Sequence, residues 1–166
     1  GILVTLNEAC RLAFRELDVP AGDAVQGLDR TKFFLPSSLV RLRVEPDAPL
    51  GFGMPGEAAA MFANSVVMDT WVPGSADQSR DVVASYAEEN ILLSGWLIGG
   101  DRMARKAAVV DVKQGKGRIV LIGFRCQYRG QSHGTYKFLL NALLHPQLDG
   151  WPGLPSPDAS AAPRAR

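Results

Sequence analysis

Histidine and cysteine are the scarce residues of this chain, and their scarcity excludes more chemistry than any motif adds. Among 166 residues there are two of each. A catalytic zinc site needs clustered His, Cys or carboxylate ligands. The histidines, His133 and His145, belong to no His-x-x-Glu or His-Glu-x-x-His pattern, so no metal ligands are assigned within this sequence. Cys10 and Cys126 are too few for a disulfide framework and form no Cys-x-x-Cys pair. A bridge between them is open but nothing requires it, and the redox compartment stays undetermined. Charge of one sign is lacking as well: 18 basic and 17 acidic side chains give a net charge of +1 with no basic block, which gives no electrostatic support to nucleic-acid or membrane-surface binding. No apolar run approaches the roughly 20 residues that span a bilayer. Neither a Gly-x-x-x-x-Gly-Lys-Ser/Thr phosphate loop nor a nucleophile elbow is assigned. Gly51-Phe-Gly53 lacks the third glycine of a dinucleotide fingerprint.

What is there is an ordinary globular composition, 46% hydrophobic and 21% charged, long enough to bury one core. Residues 117–144 organise it. Ile119 to Phe124 is an almost uninterrupted apolar run, which predicts a strand buried on both faces of a mainly parallel sheet. Tyr136, Leu139, Leu140 and Leu143 then follow the i, i+3, i+4, i+7 spacing of a helix packed back on that sheet. Between them lies a polar loop, Arg125 to Thr135, at the carboxyl end of the strand, where open α/β sheets usually bind ligands.

Upstream, Ile2 to Leu6 predicts a buried strand, followed by a helix over Glu8 to Leu17 with Asn7 as its N-cap. Gly1 to Leu6 reads as a strand already under way, so the chain is expected to be a piece of a longer protein. Ser38 to Val44 alternates Leu39, Arg41 and Arg43 against Val40, Leu42 and Val44, a half-buried strand with a solvated arginine face. Gly56 to Asn64 predicts a short Ala-rich helix, and Val66 to Val72 and Asp81 to Tyr86 two strands. Asn90 to Gly100 is ambiguous between helical and extended. Ala107 to Val112 and Arg118 to Phe124 flank Lys113-Gln-Gly-Lys-Gly117, which predicts a hairpin. Trp71, Trp96 and the phenylalanines are assigned to the core. Residues 1–148 are thus one α/β domain, and residues 149–166 a Pro- and Ala-rich tail expected to be disordered, with Trp151 able to dock.

The candidate binding residues are Arg125, Gln127, Arg129, Gln131, Ser132 and His133. Arginine offers bidentate hydrogen bonds, and the following helix presents free N–H groups, so the loop suits an anion or polar ligand. The alternative is structural: Ser132 caps the helix and the arginines tie loops to the sheet. Cys126 and His133 invite a nucleophilic pair but lack an orienting acid. His145, before Pro146 at the end of the last helix, is explained by the helix dipole.

These residues carry a resemblance. Gly115-Lys-Gly-Arg-Ile-Val-Leu-Ile-Gly-Phe-Arg125, Gln127 to Lys137 and Leu139 to Leu144, with Ile2 to Asn7, Phe52 to Pro55, Leu92 to Leu97 and Lys106 to Asp111, resemble the class I glutamine-amidotransferase-like domain that follows the peptidase domain in some bacterial zinc carboxypeptidase-like proteins. The resemblance spans about residues 1 to 145 and places proline where Cys126 stands. It implies a flavodoxin-like fold truncated at its N-terminus, with the first βα units, the zinc ligands and any amidotransferase elbow upstream of Gly1. It further implies an accessory, non-catalytic role beside an N-terminal peptidase domain of the same polypeptide, zinc in that parent domain and none in this chain, and an extracellular or periplasmic location. Two other readings stay open: a small-ligand or hydrolase site at Arg125 to His133 completed by upstream residues, and a homo-oligomerisation domain.

Overall fold

A computed structural model describes residues 1–148 of the chain, and the expected tail, 149–166, lies outside them. Nine strands form one sheet flanked by two helices: β1 Ile2–Leu6, α1 Cys10–Glu16, β2 Ala21–Asp23, β3 Ser38–Val44, β4 Glu57–Phe62, β5 Met68–Thr70, β6 Gln78–Tyr86, β7 Leu92–Ser94, β8 Ala107–Gln114, β9 Gly117–Ile122 and α2 Tyr136–Leu148. The main path runs β1-β9-β8-β6-β3-β4, with β5 on β8, β2 on β5 and β7 on β3.

The sheet is mixed but mostly antiparallel, which corrects the expectation of a mainly parallel one. Only β1 and β9 run parallel; the other pairings among the described strands are antiparallel. The apolar run that suggested parallel strands has another cause. Successive residues of β8 and β9 alternate between two cores: Val109, Val120, Ile122 and Phe124 pack with Phe138 and Ala142 of α2, while Val110, Val112, Ile119 and Leu121 pack with Cys10 and Ala13 of α1. A strand with a helix over each face is apolar at every position whichever way its neighbour runs. The hairpin between β8 and β9 forms as expected, from Val109 opposite Ile122 to Gln114 opposite Gly117.

Gly56 to Asn64 is not a helix. Ala58 to Ala60 favour one intrinsically, but Ser38 to Arg43 bind that segment as β4, Val40 opposite Ala60 and Arg43 opposite Glu57. Pairing and burial of Ala60 and Phe62 override local preference. The arginine face of β3 is partly exposed as expected, with Arg41 and Arg43 both on the Glu57 carboxylate. Residues 90–100 resolve as extended β7 and a 3-10 turn at Gly100–Arg102.

Two further corrections concern side chains. Trp71 and Trp96 are 52% and 63% exposed, not core, and Phe52 is exposed too, whereas Phe62, Phe124 and Phe138 are buried. Among the described side chains of α2 the buried ones are Phe138 and Ala142, with Leu139 partly buried, so the stripe read from Tyr136, Leu139, Leu140 and Leu143 points largely outward. Asn141 fixes that rotation: its Nδ2 donates to the Leu50 and Phe52 carbonyls at 2.9 and 3.0 Å. Among the described residues no helix is long and apolar enough to cross a membrane.

Candidate functional site

The loop Arg125 to Thr135 leaves the carboxyl end of β9 and meets the carboxyl end of β1 and the segment after β4. Asn7 ends β1 in a left-handed conformation, φ 58°, and does not cap α1. The helical region instead opens with a 3-10 turn, Asn7–Ala9, which frees the Asn7 amide for longer-range bonds. Its Nδ2 donates to the Ala63 carbonyl at 3.2 Å, and its Oδ1 accepts from Ser65 Oγ at 2.6 Å. Ser65 Oγ in turn accepts from the Ala63 N–H at 2.9 Å. Arg125 Nε donates to the same Ala63 carbonyl at 3.1 Å, and its backbone N–H to the Met61 carbonyl at 3.3 Å. One peptide carbonyl thus joins the first strand, the segment after β4 and the candidate loop.

Beyond Arg125 the chain reverses at Arg129-Gly130, φ 51° and 71°, with the Gln131 N–H donating to the Tyr128 carbonyl at 3.0 Å. Two successive positive φ angles are the signature of a tight hairpin turn. The turn sets both guanidinium groups near one ring, Arg125 Cζ 5.6 Å and Arg129 Cζ 5.4 Å from the Tyr128 centroid, within cation–π range. Gln127, Arg129, Gln131 and His133 are exposed, and Arg125 and Ser132 half-buried. The structure therefore brings Arg125, Tyr128 and Arg129 together as a cationic, aromatic surface. His133 stands apart in the 3-10 turn His133–Thr135, its ring 5.4 Å from that of Tyr136.

Cys126 faces inward. It is 3% exposed, and burial pushes its thiol up to about 12, so it is a protonated core residue at neutral pH. Cys10 behaves alike, with burial pushing its thiol up to about 11. Both cysteines are free, which removes the bridge left open above.

Ser132 does not cap the helix. Its backbone is left-handed, φ 58° and ψ 50°, without a capping bond, and its buried Oγ has no hydrogen-bond partner. The tie to the loop comes from Thr135, whose Oγ1 lies 2.7 Å from the carbonyls of both Cys126 and Ser132 and donates its one hydrogen to either. Gly130-Gln-Ser132-His-Gly134 nevertheless carries the Gly-x-Ser-x-Gly spacing of a nucleophile elbow. The positive φ at its serine fits such an elbow. The attachment does not, because a loop from Gly123 to Gln131 separates Ser132 from β9, whereas an elbow turns directly from strand to helix.

Sequence reasoning missed Asn7 and Ser65 as the polar anchor of the loop. They meet because β1 lies beside β9 while the Val66 N–H bonds the Gly123 carbonyl just beyond β9, and no local pattern reports either contact. Among the described residues no three His, Cys, Asp or Glu side chains group to hold a metal ion. Two surface depressions lie elsewhere, one of about 290 Å³ lined by Arg43, Ser85, Glu88 and Arg105, the other of about 270 Å³ beside Gly1, Lys113 and Lys116. Both open to solvent, and neither is lined by residues of the loop.

No family model matches the sequence, and no curated protein matches it. Among solved structures the chain is similar to a GMP synthase subunit protein from Thermoplasma acidophilum, at 15% identity and a TM-score of 0.43 over 90% of this chain and 59% of that one. It is also similar to a ThuA-like protein from Bacteroides uniformis, at 12% identity and a TM-score of 0.39 over 86% of this chain and 55% of that one. The chain spans little more than half the length of either.

Proposed function

We propose that this chain is a non-catalytic accessory domain, serving interaction or substrate positioning, within a longer zinc carboxypeptidase-like protein whose peptidase site lies in a separate N-terminal domain. The reading takes the chain as the later part of a class I glutamine-amidotransferase-like domain. The observation that carries the accessory role is the Arg125–Tyr128–Arg129 surface. Two cations beside one ring of an exposed loop suit recognition of a carboxylate or another anion by charge and hydrogen bonding. The thiol in the same loop is meanwhile withdrawn into the core. The peptidase parent rests on the phrases quoted above, and a C-terminal carboxylate is the group such a surface would hold.

The test uses the intact parent protein. Arg129→Ala should raise KM for a peptide substrate about tenfold with kcat nearly unchanged, because it removes binding shared by ground and transition states. Arg129→Asn separates charge from backbone, since asparagine tolerates the left-handed turn; it should give the same KM effect. Unchanged kinetics in both variants, or a parent without peptidase activity and stoichiometric zinc, would defeat the proposal.

A second reading, a small-ligand or hydrolase site at Arg125 to His133 completed by residues upstream of Gly1, is favoured by the exposed polar side chains of Gln127, Arg129, Gln131 and His133. Replacing His133 and Arg129 by alanine in the parent, with no change in activity or ligand binding, would count against it.

A further inference from the structure

We infer that the hollow over the carboxyl end of β6 is a binding site for a small zwitterion, of the class of a free α-amino acid. It is built from internal segments alone. Arg43 of β3 lies opposite Ser85 of β6, and Ser85 lies opposite Ala107 of β8. The turn before β8 holds Arg105 by its N–H on the Tyr86 carbonyl at 3.1 Å. Two arginines thus stand on either side of Ser85, about 10 Å apart at the backbone given the ~4.8 Å spacing of neighbouring strands.

Two compensating irregularities shape the floor. The β6–β8 pairing gains one residue on β6, between Val82 and Ala84, and then one on β8, between Ala107 and Val109. Bulges bend a strand and sharpen its twist, and they are over-represented beside active sites. Here the bend adjoins Ser85, and the hollow above it has a volume of about 290 Å³. That is near the lower end for ligand pockets, room for one amino acid rather than a peptide.

Charge decides the class of ligand. On one wall Arg43 shares the Glu57 carboxylate with Arg41, so two guanidinium groups divide one negative charge and the wall stays positive. At the rim Glu88 meets Arg105 at 3.4 Å, while Glu89 has no ion-pair partner among the described residues, so the rim stays negative. A lone anion would meet Glu88 and Glu89, and a lone cation would meet Arg43 and Arg105. Repulsion of this kind rejects the wrong ligand as effectively as attraction selects the right one. A molecule with both charges suits both ends, its carboxylate between Arg43 and Arg105 beside the Ser85 hydroxyl and its ammonium on Glu88 and Glu89. The Arg105–Glu88 contact does not bar entry, because the two side chains are 75% and 61% exposed and such pairs contribute little. The same exposure keeps the affinity modest. This site is separate from the Arg125–Arg129 loop and survives the failure of the function proposed there.

Titration of the isotope-labelled protein with L-alanine, followed by amide NMR, tests it. The expected result is a saturable shift of the Ser85, Glu88 and Arg105 amides at millimolar alanine, with acetate and ethylamine each binding about tenfold more weakly. Arg105→Asn, in which asparagine tolerates the left-handed backbone of this position, should weaken alanine about tenfold. Glu89→Gln, which breaks no ion pair, should weaken alanine in the same direction and narrow the gap between alanine and acetate. No saturable shift, equal affinity for alanine and acetate, or unchanged alanine binding in both variants would overturn the proposal. Saturable shifts confined to Gln127 to Ser132 would overturn it too, since they would assign the carboxylate to the loop.

Discussion

At neutral pH both thiols of this protein keep their protons because a thiolate in either core would lose its hydration without gaining a cation. Burial raises Cys10 from the ordinary 9.0 to about 11 and Cys126 to about 12. Unfolded, both would ionise above pH 9, so between 9 and 11 or 12 the unfolded chain binds fewer protons than the native one. Stability is therefore full below pH 9 and falls as pH rises through that window, by roughly 1.4 kcal/mol per pH unit for each thiol. The Tyr86 phenol, buried and donating to the Val66 carbonyl at 2.9 Å, is pushed up as well and extends the trend above pH 10. Urea unfolding midpoints at pH 8, 9.5 and 10.5 should fall in that order, and Cys126→Ala should flatten the slope. A flat wild-type profile would contradict the buried-thiol assignment. Iodoacetamide at pH 8 should modify neither cysteine until urea unfolds the chain.

Helix α2 shows how an element can be found from sequence and still be turned the wrong way. Leucine spacing located it, yet leucine lies all round it, and what sets the buried face is Phe138 against Phe124, edge to face at 6.0 Å, together with the two carbonyls held by Asn141. Phe138→Ala should cost about 3–5 kcal/mol in chemical denaturation, and Asn141→Ala about 1–3 kcal/mol by leaving the Leu50 and Phe52 carbonyls without that donor. Leu143→Ala, on the exposed side, should change stability by less than about 0.5 kcal/mol. An equal loss at Leu143 and Phe138 would refute this rotation. Elements were legible where the pattern is carried by single residues: the alternation of β3 and the glycine-bearing reversal between β8 and β9. The run of β1 located its strand but not its burial, since only Thr5 of it is buried and Leu3 is exposed. They were illegible where a partner decides. Ala58 to Ala60 are strand only because Val40 and its neighbours lie opposite, and no local feature of Ile119 to Phe124 reports which way the adjoining strand runs. Of the loop, Arg125 and Arg129 were visible as chemistry. Their common ring contact was not, because it depends on positive φ at a non-glycine residue.

At the scale of the described residues the longest-range strand pairing joins β1 to β9, Ile2 opposite Arg118 to Leu6 opposite Ile122. Such non-local closure must overcome loop entropy before it stabilises anything. Refolding is expected on the order of milliseconds to seconds, and stopped-flow fluorescence should show Cys10-side packing appearing with β1 rather than before it. Microsecond folding would argue that this pairing is not the rate-limiting contact. The Ala63 carbonyl, which Asn7 and Arg125 share, makes that closure observable. A carbon-13 label on this one carbonyl would give a single infrared band, lowered in frequency by two donors. The band would move upward when either the strand end or the arginine lets go, so one oscillator in the middle of the sequence would keep time for both ends of it.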